Sequence, residues 1–516
     1  MKNLLKAASR IVFSRTLIVI LMILLQIGIF PLIYTYLSTY APSIIEAMSV
    51  LGGVLVIIII NTDEPTEFKL TWAIIICAFP VLGALIYLFI KLNWGMIGLK
   101  KKVNRELDET KELLYVSDRT KKAIEKESMS FQNFAHYMES VGGFPVYHST
   151  KATYFPTGEA KIEDLSKELE NAKEYIFMEY FIIGYGKVWD SVLEILKKKA
   201  SEGVEVRVMY DGLCSLMLLP YRYPKKLEKY GIKAKMFAPI IPFLSTTQNS
   251  RDHRKIVVID GRVAYTGGVN LSDEYANINS RFGHWKDIGI KLEGRGVMSF
   301  TLMFMQMWNV YGKDNIDYRK FLVEHDFQDS GKEAGFVIPY GDTPTKRIEI
   351  AKTVYEAIFA HAYDHIHIMT PYFIVDREFL SIMRYAAQRG IDVKMIIPHI
   401  PDKKPVFYIA RTFYPELMKA GVKVYEYEPG FVHAKLMVAD GRMGTVGSVN
   451  LDYRSFYHHF ECGVYLYESD AVKDMEKDFD ETLLKCIEVT PDYYFKKIPL
   501  YQKMIGRVLR LVGPLL

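Results

Sequence analysis

Cysteine is scarce in this chain. Its 516 residues hold four, Cys77, Cys214, Cys462 and Cys486, scattered and with no C-x-x-C pair. That disfavours a disulfide framework and a cysteine-ligated zinc site, and it suits a reducing, cytosol-facing catalytic region. No H-E-x-x-H occurs either, so the helical zinc-hydrolase signature is missing. Strong charge is missing too: the net charge is +5, and no basic tract carries interleaved aromatics. A nucleic-acid binder is therefore disfavoured. The length leaves room for two or three domains.

Near the N-terminus charge itself is lacking. Thr16 to Leu37 and Leu70 to Ile90 are uncharged runs of 22 and 21 residues, and Ile44 to Ile60 carries only Glu46 in 17. A bilayer needs about 20 apolar residues per helix, so the first and third runs are expected to span and the second is marginal. The first run is too long for a cleaved signal peptide. Lys2, Lys6, Arg10 and Arg15 precede the runs, and Lys91, Lys100, Lys101, Lys102 and Arg105 follow them. The positive-inside rule then puts both ends in the cytoplasm, which needs an even number of crossings. Pro31 and Pro42 can break the first two runs into one crossing and a re-entrant piece.

What is abundant is repetition. His253-Arg254-Lys255, four residues, Asp260, six residues and Gly267-Gly268-Val269-Asn270 recur as His433-Ala434-Lys435, Asp440 and Gly447-Ser448-Val449-Asn450, always 180 residues later. Around each copy, short β-rich runs alternate with helical stretches in the same order. Tyr175 to Ile183, the helix ending at Gly203 and Val204 to Met209 correspond to His365 to Ile374, the helix ending at Gly390 and Ile391 to Ile397. The pattern predicts two α/β units packed as a pseudo-dimer. The expected division is a membrane region over 1–100, a charged, solvated helical linker over 101–130, half one over 131–325, half two over 326–485, and a basic amphipathic segment over 486–516.

His and Lys two apart on a strand project from one face. The Gly267-Gly268 and Gly447-Ser448 pairs let backbone approach a ligand, and Asn270 and Asn450 offer amides. A phosphodiester needs a nucleophile, a proton for the leaving alkoxide, and positive charge on its equatorial oxygens. Two histidines supply the first two. Lys255, Lys435 and the asparagines supply the third, with no metal or other cofactor required. A lysine beside each histidine would repel a cation. Asp287 is the candidate carboxylate behind His253, and Glu461 is a second, 28 residues after His433. Asp260 and Asp440 complete the motifs; as Asp-Gly dipeptides they read first as turn residues.

His-x-Lys-x4-Asp followed by Gly-Gly or Gly-Ser and Asn resembles the signature of the phospholipase D superfamily. His253 to Gly261, Gly267 to Leu271, Asp273-Glu274-Tyr275, Trp285 with Asp287, Asn450 to Phe456 and the N-terminal Thr71-Trp72 and Phe79-Pro80 look like its bacterial cardiolipin synthase branch. The resemblance implies tandem phospholipase D-like units behind transmembrane helices in a bacterial inner membrane. It implies catalysis by His253, Lys255, Asp260, His433, Lys435 and Asp440. Phosphate would be held by Asn270, Asn450, Ser448, Gly267 and Gly268, with Asp287 and Glu461 orienting the histidines. The implied partners are phosphatidylglycerol, as donor and acceptor, and the bilayer. A D-G-x-x-A-R pattern, the mark of the other cardiolipin synthase type, is missing. Lys286 and Ile288 stand where the family pattern has Arg and Thr. Hydrolytic phospholipase D and phosphatidylserine synthesis are the alternatives. In the last segment, Leu500, Met504, Ile505, Val508, Leu509, Leu511 and Val512 face one way and Lys503, Arg507 and Arg510 the other. That is the pattern of an interfacial helix, or of one docked on the core.

Overall fold

The computed structural model describes residues 42–91, 94–148, 150–214, 218–239, 250–311, 314–322, 335–346 and 348–515, with isolated positions before 42. Two mixed sheets organise the catalytic region. The first has seven strands in the order Lys151–Phe155, Gly289–Glu293, Val263–Gly267, Lys255–Ile259, Tyr175–Tyr180, Glu205–Asp211 and Lys233–Phe237. The second repeats that order with Phe336–Asp342, Glu461–Tyr467, Met443–Gly447, Leu436–Ala439, His365–Met369, Asp392–Pro398 and Lys423–Tyr427, and adds Tyr147–His148 and Cys486–Glu488 at its edges. Both faces of each sheet are covered, so the central strands are apolar throughout rather than alternating. Ile176 and Met178 face outward onto helices Gly158–Asn171 and Lys187–Ser201, while Phe177, Ile256 and Val258 face the layer between the sheets. That layer holds helix Val297–Val310, whose residues are buried except Gln306. A helix apolar on every side belongs in such a layer.

The halves do not divide where the sequence suggested. Helix Met129–Tyr137 and strand Tyr147–His148 pack on the second sheet, through Phe131, Phe134 and the pairing of Tyr147 with Val337. The first sheet begins at Lys151. The expected solvated linker is also a packed element. Helix Trp94–Thr110 buries Val103, Glu106 and Thr110; Tyr318 Oη donates to Glu106 at 2.6 Å and Gln306 Nε2 to Thr110 at 2.7 Å. Its charge density hid a stripe with only a few apolar positions.

The N-terminal expectation changes as well. The run Thr16 to Leu37 lies outside the described residues except for single positions. The second run forms helix Pro42–Ile60. The third is not one helix but two, Thr66–Ala78 and Pro80–Lys91. Pro80 forces residue 79 off the helical conformation, and Phe79 sits at φ −136°, ψ 73°. The three helices pack through Leu55, Ile59, Trp72, Ile76, Ala84 and Tyr87. Among the described residues, no helix is long and apolar enough to cross a membrane.

Candidate active site

Two contacts between the halves build the site. Gly430–Val432 pairs in parallel with His284–Lys286, and Asp252 bridges to Phe460. They place two equivalent hydrogen bonds: the His433 backbone N–H donates to Lys286 O at 2.7 Å, and that of His253 to Phe460 O at 2.9 Å. Each acceptor immediately precedes a carboxylate. Asp287 therefore meets His433 Nδ1 at 2.7 Å, and Glu461 meets His253 Nδ1 at 2.9 Å.

The carboxylates are thus exchanged relative to the sequence reading, which put Asp287 behind His253. Each half holds the histidine of the other. Chain proximity is a poor guide here, because each carboxylate lies at the end of its own sheet where the other half abuts. A carboxylate on Nδ1 fixes the proton there and turns Nε2 to chemistry; at His433 that nitrogen lies 3.0 Å from Lys435 Nζ.

The two supports differ. Asp287 accepts from the Ile288 N–H at 2.8 Å besides His433. Its Oδ1 fills the space where a Cβ on Gly268 would stand, so residue 268 has room for nothing larger than glycine. Glu461 is instead gripped by hydroxyls, from Ser455 at 2.7 Å and from Ser448. Gly267 sits at φ +131° against the Ile288 carbonyl, a conformation and approach that need glycine. Of the residues expected to hold phosphate, Gly268 makes room for Asp287, Ser448 donates to Glu461, and Gly267 packs on backbone.

Asp260 and Asp440, carried in the catalytic set, face away from the histidines. Asp260 accepts the backbone N–H of Lys173, Glu174 and Tyr175, each at 2.8 Å. Asp440 accepts those of Tyr363, Asp364 and His365 at 2.9 to 3.0 Å. Both sit at positive φ in their turns. They pin the loop entering the neighbouring strand.

Lys255 and Lys435 lie beside the histidines, each ammonium on the carbonyl of the histidine two residues earlier at 2.5 Å. Burial lowers the Lys255 ammonium to about 8 and that of Lys435 to about 7. Burial and then the nearby lysines hold His253 well below the usual imidazole value. Burial and Lys435 bring His433 to about 4, with Asp287 opposing. An anion entering between these groups would favour every one of their charged forms. Asn270 accepts from the Ile182 N–H at 3.0 Å and donates to Tyr275 Oη at 2.8 Å, whereas the Asn450 amide oxygen is buried without a partner among the described residues.

Aromatic rings wall the site. Phe181 lies 4.8 Å from the His253 ring, and Trp285 and Tyr275 lie 5.2 and 5.4 Å from that of His433. His459, which the motif gave no reason to notice, packs 5.5 Å from His253 and accepts from Arg454 Nε at 3.2 Å. His253, His459 and Glu461 could bring three ligand atoms within 4.8 Å of one another. A cation fits poorly there: Glu461 is already gripped by two serines, and Lys255 is close enough to depress His253.

Residues 165–282 and 355–483 match the cardiolipin synthase, phospholipase D-like domain model, one copy per sheet. Residues 50–91 match the phospholipase D-nuclease N-terminal model. A cardiolipin synthase of Geobacillus is 34% identical over 466 residues, covering 89% of this chain and 91% of that one. The chain belongs to the cardiolipin synthase family. A Streptococcus mutans protein of unspecified function is 46% identical over 461 residues, 89% of this chain and 99% of that one. The crystal structure of phosphatidylserine synthase from Haemophilus influenzae aligns with a TM-score of 0.56 at 14% identity, over 71% of this family member and 95% of that chain. At that identity the likeness is one of fold.

Proposed function

We propose that this phosphatidyltransferase joins two phosphatidylglycerol molecules into cardiolipin and glycerol. The crossed His–carboxylate pairs carry the reading: two imidazoles, each fixed through Nδ1, lie with two lysines where the halves meet.

His253 Nε2 attacks the phosphorus of the first phosphatidylglycerol. The P–O bond to the headgroup glycerol breaks, and the His433 imidazolium gives its Nε2 proton to the departing oxygen. The phosphatidyl group is then held on His253. Neutral His433 next takes the proton from the terminal hydroxyl of a second phosphatidylglycerol. That oxygen attacks phosphorus, the P–N bond breaks, and both histidines return to their starting states. Lys255, Lys435 and Asn450 bind the charged oxygens.

The unequal supports favour this assignment of roles. Two hydroxyls share the charge of Glu461, so it stabilises an imidazolium at His253 less; Asp287 has only one other donor and favours the charged His433 more. A nucleophile works neutral and a general acid works charged.

A bilayer beside the site suits such substrates. Exposed Val54, Ile57, Ile58, Leu70, Ile74 and Phe79 give the N-terminal helices an apolar outer face. Helix Leu500–Arg510 docks with its other side: Gly506 lies against the Tyr408 carbonyl, and Arg510 stacks 3.8 Å from Phe413. Leu500, Met504, Val508 and Leu511 stay outward, and Thr71 Oγ1 donates to Leu511 O at 2.9 Å, joining the two apolar surfaces. The helix is docked and apolar-faced together, and we assign this combined surface to the cytoplasmic leaflet of the bacterial membrane.

Product analysis tests the reaction. Purified protein given phosphatidylglycerol alone yields cardiolipin and glycerol in equal amounts; phosphatidic acid as the sole lipid product would make it a hydrolase.

A further inference from the structure

A second cluster of ligand-type side chains lies away from the active site. His365 and His367 stand two apart on the strand His365–Met369 and share a face. Both reach Glu476, on helix Asp470–Leu483: His365 Nε2 is 2.9 Å from Oε1, and His367 Nδ1 is 2.7 Å from Oε2. Asp364 holds the other ring nitrogen of His365 at 2.8 Å. The three candidate ligand atoms lie within 4.8 Å of one another. His367 is buried, and among the described residues its Nε2 has no hydrogen-bond partner. Two imidazoles thus converge on one carboxylate, each on its own oxygen.

The repeat supplies a control. Tyr175 and His365 are equivalent, each giving its backbone N–H to the turn aspartate of its half. Phe177 stacks on Phe304 at 4.7 Å, as His367 stacks on Phe479 at 4.2 Å. Thr301, one helical turn before Phe304, lies beside Tyr175; Glu476, one turn before Phe479, bonds to His365. Half one thus fills this place with Tyr, Phe and Thr, and half two with His, His and Glu. The packing of the fold requires none of the three substitutions, yet together they assemble one ligand set.

We propose that His365, His367 and Glu476 bind a single zinc-type divalent ion, with Asp364 fixing His365 through its second nitrogen. Two imidazoles and a carboxylate suit zinc and leave a fourth position for water. A carboxylate on the far side of a metal-bound imidazole is the usual outer support. His365 is partly exposed and gives an entry path. The site lies beside the Asp440 turn, at the end of its strand pair remote from His433, so the ion would tie helix to sheet rather than take part in transfer.

The test uses tag-free, full-length protein in detergent, titrated with Zn²⁺ against a chromophoric chelator and separately with Co²⁺. Wild type is expected to bind one equivalent more than the triple variant His365→Tyr, His367→Phe, Glu476→Thr, which carries the half-one residues and so keeps a packing the fold already uses. Any ion held elsewhere is counted in both proteins and cancels. The Co²⁺ visible bands of wild type vanish in the variant, and Zn²⁺ raises the melting temperature of wild type alone. Asp364→Asn weakens zinc about ten- to a hundredfold. Equal stoichiometry in the two proteins, or no ion in wild type, overturns the proposal and leaves a hydrogen-bonded cluster. Should the triple variant not fold, Glu476→Gln replaces it: undiminished zinc affinity in that variant overturns the proposal equally.

Discussion

Glu461 holds His253 across the interface between the two halves, 2.9 Å from its Nδ1, while Asp287 holds His433 in return. Neither half contains a histidine together with its own orienting carboxylate. The site exists only when the two sheets are docked, and the following expectations depend on that exchange.

Asp287→Asn and Glu461→Gln keep shape and remove charge. Each should lower kcat by on the order of 10²- to 10⁴-fold, the range seen when an orienting aspartate is neutralised. The crossed pairing separates them. Glu461→Gln should slow capture of the phosphatidyl group, read as burst glycerol release. Asp287→Asn should slow glycerol release as well, because His433 protonates that oxygen, but it alone should flatten the pH dependence set by His433. The reverse assignment of effects would refute the exchange of roles.

Gly268→Ala should be nearly inactive, because its Cβ must displace Asp287 Oδ1. Ser448→Ala removes one donor from Glu461 and leaves Ser455. Its loss of activity should be modest, about tenfold, matching one hydrogen bond to a charged group at about 1.5 kcal/mol. Steady-state rates with circular dichroism as a folding control decide both. Equal tolerance at the two positions would remove the asymmetry argument.

Asp440→Ala breaks three backbone hydrogen bonds far from the reacting atoms. It should cost about 3 kcal/mol or more in stability, at about 1.5–3 kcal/mol per charge-assisted bond with partial rescue by water. Folded variant should retain most of its kcat. Denaturant unfolding beside the specific activity of the soluble fraction checks this; loss of kcat in fully folded protein would return Asp440 to the catalytic set.

The lysines add a second alkaline limb to the pH profile, beyond that of His433. Lys435 at about 7 and Lys255 at about 8 lose their charge in the empty site as pH rises through those values. Phosphate attraction therefore falls, and kcat/KM should drop above about pH 7 while kcat, read on the occupied site, holds to higher pH. Parallel decline of both parameters would place the limiting group elsewhere.

Met504→Glu with Val508→Glu puts charge on the outward face of the C-terminal helix. The docked side, at Gly506 and Arg510, is untouched. The melting temperature should stay within a degree or two, and activity on vesicles should fall several-fold more than activity on detergent-solubilised lipid. Equal activity on both would remove the helix from the membrane surface.

Much of this architecture was legible along the chain. The 180-residue repeat of His, Lys, Asp, Gly and Asn reported two equivalent α/β units, because turns and strand starts impose local residue requirements that survive duplication. The β-rich runs were readable for the same reason. The helix break at Phe79 was less so, although Pro80 stood in plain view: an uncharged run scores as one span until the proline's missing N–H is counted. The linker helix escaped because its few buried positions, Val103, Glu106 and Thr110, make too narrow a stripe among charges.

The sequence by itself determined which groups the protein owns: paired histidines, lysines and asparagines, two candidate carboxylates, and an apolar end. Only the tertiary structure decided who meets whom. Asp287 and Glu461 pair across the interface because the strand His284–Lys286 adds to Gly430–Val432 and Phe460 bridges to Asp252, contacts 146 and 208 residues apart between the resulting partners. Local propensity carries no record of such distances. The glycine at 268, which the sequence offered as a phosphate cradle, is small because a carboxylate of its own half must pass it to reach the other half's histidine.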